Sequence, residues 1–562
     1  MSSCRGLIAP VLILGLAPCP MERPATAIHR GASTTPITQP VAASAGGGCS
    51  RSETPAISPA VVATDRGLVH GTTEGATYAF RGIPYAAPPV GELRWRPPQR
   101  AGCWEGVRPA MSFASSCAQL SALTGSTQAW FGSEDCLYLN VWSPVVREAG
   151  DRLPVVFFIH GGGNTRGGAN FITFGANIYD GRHLAEAGRV IVVAINYRLH
   201  YLGFLAHASL TSESPDGTSG NYGSLDQIAA LEWVRRNIEN FGGNPDRVLV
   251  FGQSAGARNA CVLATSPLTR GLMAAAGMIS GNCENIPSLD RMQASGNSYV
   301  RNLGCAEAAD VPACLRGKPL QDVILGAVRE PLVPGGFQLG PNVDGHLLVQ
   351  QPLEALSGPH HNHVPWLISS AADEVANALL PGLWSAPVTS AAQYEVAIRG
   401  LFDDAMADDV LTAYPAAAFS TPRTTLIRVL TDSFLVCPAR RMARTAALWD
   451  EPVWRAFYTH TYSNGPLAPL HAAHITDMPF WFDNLTLPDF APSASEAALG
   501  ATMSAFLTSF AATGNPNHPG GPLWPRYDPI ADSHLVLDDV IAADRGVRTA
   551  PCDFWDAHPL TR

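Results

Sequence analysis

Chemistry is suggested first by Gly252-Gln-Ser-Ala-Gly256, which closes an apolar, β-branched run beginning at Val248. A small-residue stretch suited to a helix follows. In a strand–turn–helix setting the glycines allow a sharp turn that strains the serine backbone and projects Ser254 Oγ above the end of a sheet. The helix behind it aims its first N–H groups at negative charge forming there. The chemistry would be nucleophilic attack by a hydroxyl, which at neutral pH needs a base within hydrogen-bond reach. Five such residues also occur in ordinary turns, so the rest of the chain has to supply a base, an acid and donors for an oxyanion. His160-Gly-Gly-Gly163 meets the last need. It follows a buried run, and its three glycines let backbone N–H groups approach a substrate closely.

The elements that must position these groups are legible as alternating apolar runs and helices. Leu153–Ile159, Val190–Ile195 and Val248–Phe251 are continuous apolar runs, as expected of strands buried on both faces. Between the last two, Ser224-Leu-Asp-Gln227 has the pattern of a capping box. Leu225, Ile228, Ala229, Trp233, Val234 and Ile238 then recur at helical spacing, and Gly242-Gly243 ends the helix at a left-handed cap. Further upstream, Val61–Val69 with Gly71 reads as a strand and turn, and Tyr78–Tyr85 as another strand. This alternation predicts an α/β protein with a mostly parallel central sheet and helices on both faces. Without an internal repeat or a second linker, one domain over residues 60–562 is the economical reading.

Composition bounds the function. The chain has 562 residues, 46% of them hydrophobic and 15% charged, which suffices for a large core. Its formal net charge of −10 is spread without runs, and no basic patch interleaves with aromatic residues, which argues against nucleic acid as a partner. Arg5 ahead of the apolar run Leu7–Ala17 predicts a signal peptide over residues 1–22. Residues 23–59, rich in Ala, Ser, Thr, Pro and Gly, predict a flexible leader. The expected location is therefore secreted, extracellular or periplasmic. Leu16-Ala-Pro-Cys19 resembles a lipoprotein cleavage box, but Pro18 before the cysteine is wrong for lipid anchoring. No later stretch approaches the ~20 apolar residues of a membrane span. Twelve cysteines in an exported chain point to disulfides, and the lack of any C-x-x-C pair argues against zinc. His360-His-Asn-His363 is expected to be an exposed polar loop, since no Cys or carboxylate spacing completes a metal site.

The ordered landmarks go further. Gly82-Ile-Pro-Tyr-Ala-Ala-Pro-Pro-Val-Gly-Glu-Leu-Arg94 is followed by Glu134-Asp-Cys-Leu-Tyr-Leu-Asn-Val-Trp142, then His160–Gly163 and Asn196-Tyr-Arg198. Gly220-Asn-Tyr-Gly223, Phe241-Gly-Gly-Asn-Pro245 and the serine elbow come next, with Thr513-Gly-Asn-Pro-Asn517 and Trp524-Pro-Arg-Tyr527 near the end. In this order, from Val61 to Trp555, the chain resembles the type-B carboxylesterases, the carboxylesterase–cholinesterase branch of the α/β-hydrolases. The resemblance implies an α/β-hydrolase fold and hydrolysis of small-molecule carboxylic esters through an acyl-enzyme, without metal or other cofactor. Carried over residue by residue, it implies Ser254 as nucleophile, His474 as base and Glu374 as acid. His474 lies in His474-Ile-Thr-Asp-Met-Pro-Phe-Trp-Phe482, and Glu374 in Ser369-Ser-Ala-Ala-Asp-Glu-Val375. The N–H groups of Gly162, Gly163 and Ala255 would form the oxyanion hole. Disulfides Cys117–Cys136, Cys305–Cys314 and Cys437–Cys552 are implied too. Cys49, Cys103, Cys261 and Cys283 receive no partner from it, Cys103 with Cys283 being one pairing to consider.

Several positions depart from the family pattern. Ser369 and Val375 stand where glycine is usual, which leaves neighbouring Asp373 as a rival to Glu374. His471 is the alternative to His474, although the residues after it do not match. Gln253 replaces a glutamate beside the nucleophile, and Asn164 replaces an aromatic residue expected to line the pocket mouth. Trp130, inside the Cys117–Cys136 loop, reads as a generic core or gorge aromatic. Rival functions are an amidase or lactonase using the same three residues, and a binding protein without catalysis.

Overall fold

The apolar runs assemble into one eleven-stranded sheet. In chain order its strands are β1 (Thr72–Glu74), β2 (Thr77–Pro84), β3 (Tyr138–Pro144), β4 (Leu153–Ile159), β5 (Ile191–Ile195), β6 (Gly243–Gln253), β7 (Ala275–Ile279), β8 (Trp366–Ala371), β9 (Val453–Tyr458), β10 (Ser533–Leu537) and β11 (Ala542–Arg545). Their spatial order is β1-β2-β3-β5-β4-β6-β7-β8-β9-β10-β11. The computed structural model describes residue 49 and residues 60–121, 129–145, 150–326, 339–376 and 388–560. The expected signal peptide, and the leader apart from Cys49, lie outside the described residues.

Pairing is parallel from β5 through β4 and β6 to β10, and antiparallel at both edges. Buried parallel strands alternate side chains between two faces, so an apolar run feeds two cores at once. Val155, Phe157 and Ile159 of β4 pack on one face with Ile228, Leu231 and Val234 of helix α1 (Tyr222–Asn237). Val156 and Phe158 point the other way, toward Met503, Phe506 and Phe510 of helix α3 (Ala494–Thr513). A helix therefore covers each face, as the alternation of runs predicts.

Local sequence sets the helix ends, with one correction. Helix α1 starts at Tyr222, so Ser224 lies inside it and no capping box forms. Inside the helix, the Asp226 carboxylate accepts from Arg198 Nε at 2.8 Å and Nη2 at 2.6 Å. Both residues are buried, and such a pair has to be made completely because a lone charge there would be costly. The far end follows expectation, with Gly242 left-handed at φ 86°. Val61–Val69 forms a short hairpin instead of one strand, Val61–Ala63 pairing with Leu68–His70. Trp130 is half-buried and packs against the main core.

Cys117–Cys136, Cys305–Cys314 and Cys437–Cys552 are bonded, as the resemblance implies. The suggested Cys103–Cys283 pair does not form. Cys103 instead takes Cys49, at a Cα separation of 5.9 Å, and Cys261 takes Cys283 at 6.0 Å, both within bridging range. Cys261 lies on helix α2 (Ala255–Thr265), so that bond ties the helix after the serine to the loop after β7.

Candidate active site

Parallel registry brings the ends of the central strands together. Gly252 pairs with Ile159, Gln253 with Ile279, and Ile279 with Ser369, so the segments that follow β4, β6, β7 and β8 leave the sheet along one edge. Carboxyl ends of parallel strands are where open α/β sheets place their ligands. His160–Gly163, Ser254 and Glu374 all lie just past such ends.

Ser254 caps α2 with φ 58° and ψ −123°, a sparsely populated conformation for any residue but glycine. Its amide donates to Ile279 at 2.8 Å, and its carbonyl accepts from Arg258 at 3.1 Å, which holds the strained turn. The flanking glycines are required by close approach. A Cβ on Gly252 would strike the Gly256 carbonyl, and one on Gly256 the Ile159 carbonyl. The amide of Ala255, first in α2, has no acceptor within its own helix.

The glycine loop reverses beside this turn. Gly162 and Gly163 have φ of 105° and 65°, and the Gly162 carbonyl accepts from Thr165 and Arg166, both at 3.1 Å. Asn164 is not at a pocket mouth but completely buried. Its φ of 57° is left-handed, a conformation that asparagine tolerates better than an aromatic residue does. Its side-chain oxygen accepts from Asn259 at 2.8 Å and Tyr197 at 3.2 Å, and Tyr197 also donates to His160 at 3.0 Å. Asn259 lies on α2, so this network fastens the glycine loop to the helix behind the serine. His160 itself is buried, which pushes its imidazole down to about 4 and keeps it neutral.

His474 and Glu374 meet directly. His474 Nδ1 lies 2.6 Å from Glu374 Oε2, while the His474 amide donates to the Glu374 carbonyl at 3.1 Å. Glu374 is fully buried, and its Oε1 accepts from the Ala371 amide at 2.8 Å. A carboxylate only accepts, so Nδ1 carries the proton and the neutral ring keeps its lone pair on Nε2. The rivals go elsewhere: Asp373 lies 3.6 Å from Arg428, and His471 is exposed. Neither Ser369 nor Val375 has a positive φ, so the turn needs no glycine at either place. Val375 instead packs into a separate apolar cluster toward the C-terminus.

Two features escaped the sequence reading. Gln253 Nε2 lies 3.1 Å from His474 Nε2, on the lone-pair side of the ring. Asp477, three residues beyond His474, is buried and accepts from Trp481 Nε1 at 3.1 Å. Burial first, and the charge of Glu374 second, push its carboxyl up to about 7. An acidic residue three positions after a histidine signals nothing by itself; only burial beside Glu374 makes it notable.

A large mostly parallel sheet covered on both faces, with a strained serine between strand and helix, defines an α/β-hydrolase. The chain belongs to the carboxylesterase family, whose model matches residues 58–555. It is 35% identical over 502 residues to the fumonisin B1 esterase of Sphingopyxis macrogoltabida, covering 87% of this chain and 88% of that one. It is 33% identical over 497 residues to the para-nitrobenzyl esterase of Bacillus subtilis (strain 168), covering 86% and 96%. Among solved structures, a PNB esterase superposes with a TM-score of 0.75 at 30% identity, covering 88% of this chain and all of that one. The protein is accordingly a carboxylic ester hydrolase.

Proposed function

We propose that Ser254, His474 and Glu374 act as a triad that cleaves esters through an acyl-enzyme. The reading rests chiefly on the 2.6 Å Glu374–His474 contact, which leaves the Nε2 lone pair on the side of the serine elbow. Ser254 Oγ attacks the ester carbonyl as His474 Nε2 takes its proton. Glu374 holds the ring orientation and stabilises the imidazolium. The Gly162, Gly163 and Ala255 amides receive the tetrahedral oxyanion, each donor being worth ~10²–10³ in rate. His474 returns the proton to the leaving alcohol, and water then releases the acid by the same steps. Burial and the charge of Glu374 push the Asp477 carboxyl up to about 7, which favours its neutral form beside the triad.

The protein works outside the reducing cytosol in this reading. Five disulfides among the described cysteines suit an oxidising compartment, and no described helix is long and apolar enough to cross a membrane. A panel of p-nitrophenyl and alkyl esters against matched amides and lactones tests the reaction class. Ester turnover well above amide or lactone turnover is expected. Preferential amide or lactone turnover would favour a rival hydrolase with the same triad, and no turnover at all would sink the reading.

A further inference from the structure

The tract His360–His363 forms the expected exposed loop only at His360 and His363. His361 and Asn362 are buried, and Asn362 fastens the segment to the end of α2 by donating from its amide to Ala264 at 2.9 Å and from Nδ2 to Thr269 Oγ1 at 3.0 Å. The sequence argument against a metal here was that no carboxylate stood nearby. Folding supplies one from 88 residues away, in Glu451 just before β9.

The orientation of the rings is the telling point. His361 Nδ1 lies 2.8 Å from the Gly358 carbonyl and 3.1 Å from the Ala355 carbonyl. Carbonyls only accept, so Nδ1 carries a hydrogen and the ring turns Nε2 toward Glu451. Nε2 faces Glu451 Oε1 at 3.2 Å. His363 Nδ1 faces the same oxygen at 2.7 Å. Two ring nitrogens and one carboxylate thus converge on one place, which either a shared proton or a metal ion satisfies. A histidine whose second nitrogen is anchored to a backbone carbonyl is also the usual arrangement of a metal-ligating imidazole.

We propose that His361 Nε2, His363 Nδ1 and Glu451 form a binding site for one divalent transition-metal ion, with zinc as its best fit. The three ligand atoms lie within 4.8 Å of one another. Zinc at ~2.0–2.2 Å from each of two imidazoles and one carboxylate is a common ligand set. Bringing the three ligands to about 3.3 Å apart, as tetrahedral zinc asks, needs only a small swing of His363, whose side chain is half exposed. His361 and His363 line a recess of about 460 Å³ also bordered by Arg270, Met273 and Pro359, from which water would supply the fourth ligand.

Placement makes the site structural. His363 precedes β8 and Glu451 precedes β9, so the ion would clamp the amino ends of two paired strands. Glu374 follows the opposite end of β8. The test uses tag-free full-length protein dialysed against a chelator, then titrated with Zn²⁺ and Co²⁺ by calorimetry and visible absorbance. One equivalent should bind, Co²⁺ should show the strong visible bands of a tetrahedral site, and zinc should raise Tm by roughly 2–5 °C. His363→Ala, at a half-exposed position, should fold normally in chelator but lose at least ~100-fold in affinity and the Tm response. Glu451→Gln should lose them as well. Equal binding by wild type and His363→Ala would overturn the site. So would a wild-type Tm unmoved by metal, which would leave a proton on His361 balancing Glu451.

Discussion

At the residue scale, the groups that set reactivity lie around His474. Gln253 donates toward the nitrogen that takes the serine proton in the proposed mechanism, so it competes mildly with Ser254 and brings no charge. Replacing it with glutamate places a negative charge there, which favours the imidazolium. Gln253→Glu should therefore move the acidic limb of the kcat/KM profile to higher pH, and an unmoved limb would exclude that role. Asp477 acts on stability. Its folded-state pKa is raised to about 7 from 3.8, so the native state holds the proton more tightly than the unfolded chain. That contribution is full below pH ~4 and is lost as pH rises to ~7, on the order of 2–4 kcal/mol. Asp477→Asn should flatten that fall, as read from denaturant midpoints between pH 4 and 8. An unchanged slope would show that the carboxyl ionises as freely folded as unfolded.

At the element scale, the elbow and the glycine loop are each local solutions to a backbone problem, and both were legible in the sequence. Gly252 and Gly256 sit where no Cβ fits, and the three glycines after β4 form the expected reversal. Gly162→Ala should lower kcat by ~10²–10³ with little change in KM, because its Cβ would strike the Arg166 carbonyl and turn the proposed oxyanion donor away. A fall in KM-linked binding alone would move Gly162 out of the transition state. Other element-level features were not legible, for one physical reason. Arg198 pairs with Asp226 through space, and Asn164 turned inward because Tyr197 and Asn259 wait for it. Sequence spacing reports neighbours along a helix or strand, but it does not report which distant side chain competes for them.

At the scale of the whole molecule, the central strands and their order of covering helices followed from the apolar runs, whereas the long-range ties did not. Cys49–Cys103, Cys261–Cys283 and the meeting of Glu451 with His361 and His363 join segments that no local pattern links. The proposed triad is intermediate: Glu374 is readable only through the family pattern, and the 2.6 Å contact to His474 distinguishes it from Asp373. Among the disulfides, Cys437–Cys552 spans 115 residues, the longest separation, and ties the C-terminal helix Thr549–Ala557 back to the body. Replacing both cysteines with serine should cost ~2–5 kcal/mol of stability, measured by the denaturant midpoint under oxidising conditions. A change below ~1 kcal/mol would mean that packing around Trp555 already holds the segment.

The central claim, that Ser254 carries the acyl group, is tested most directly by mass spectrometry of the protein trapped with an organophosphate. The account predicts one adduct, on the peptide bearing Ser254, with loss of ester hydrolysis in step with labelling and neither adduct nor activity in Ser254→Ala. An adduct on another residue, or one that survives the substitution, would contradict it.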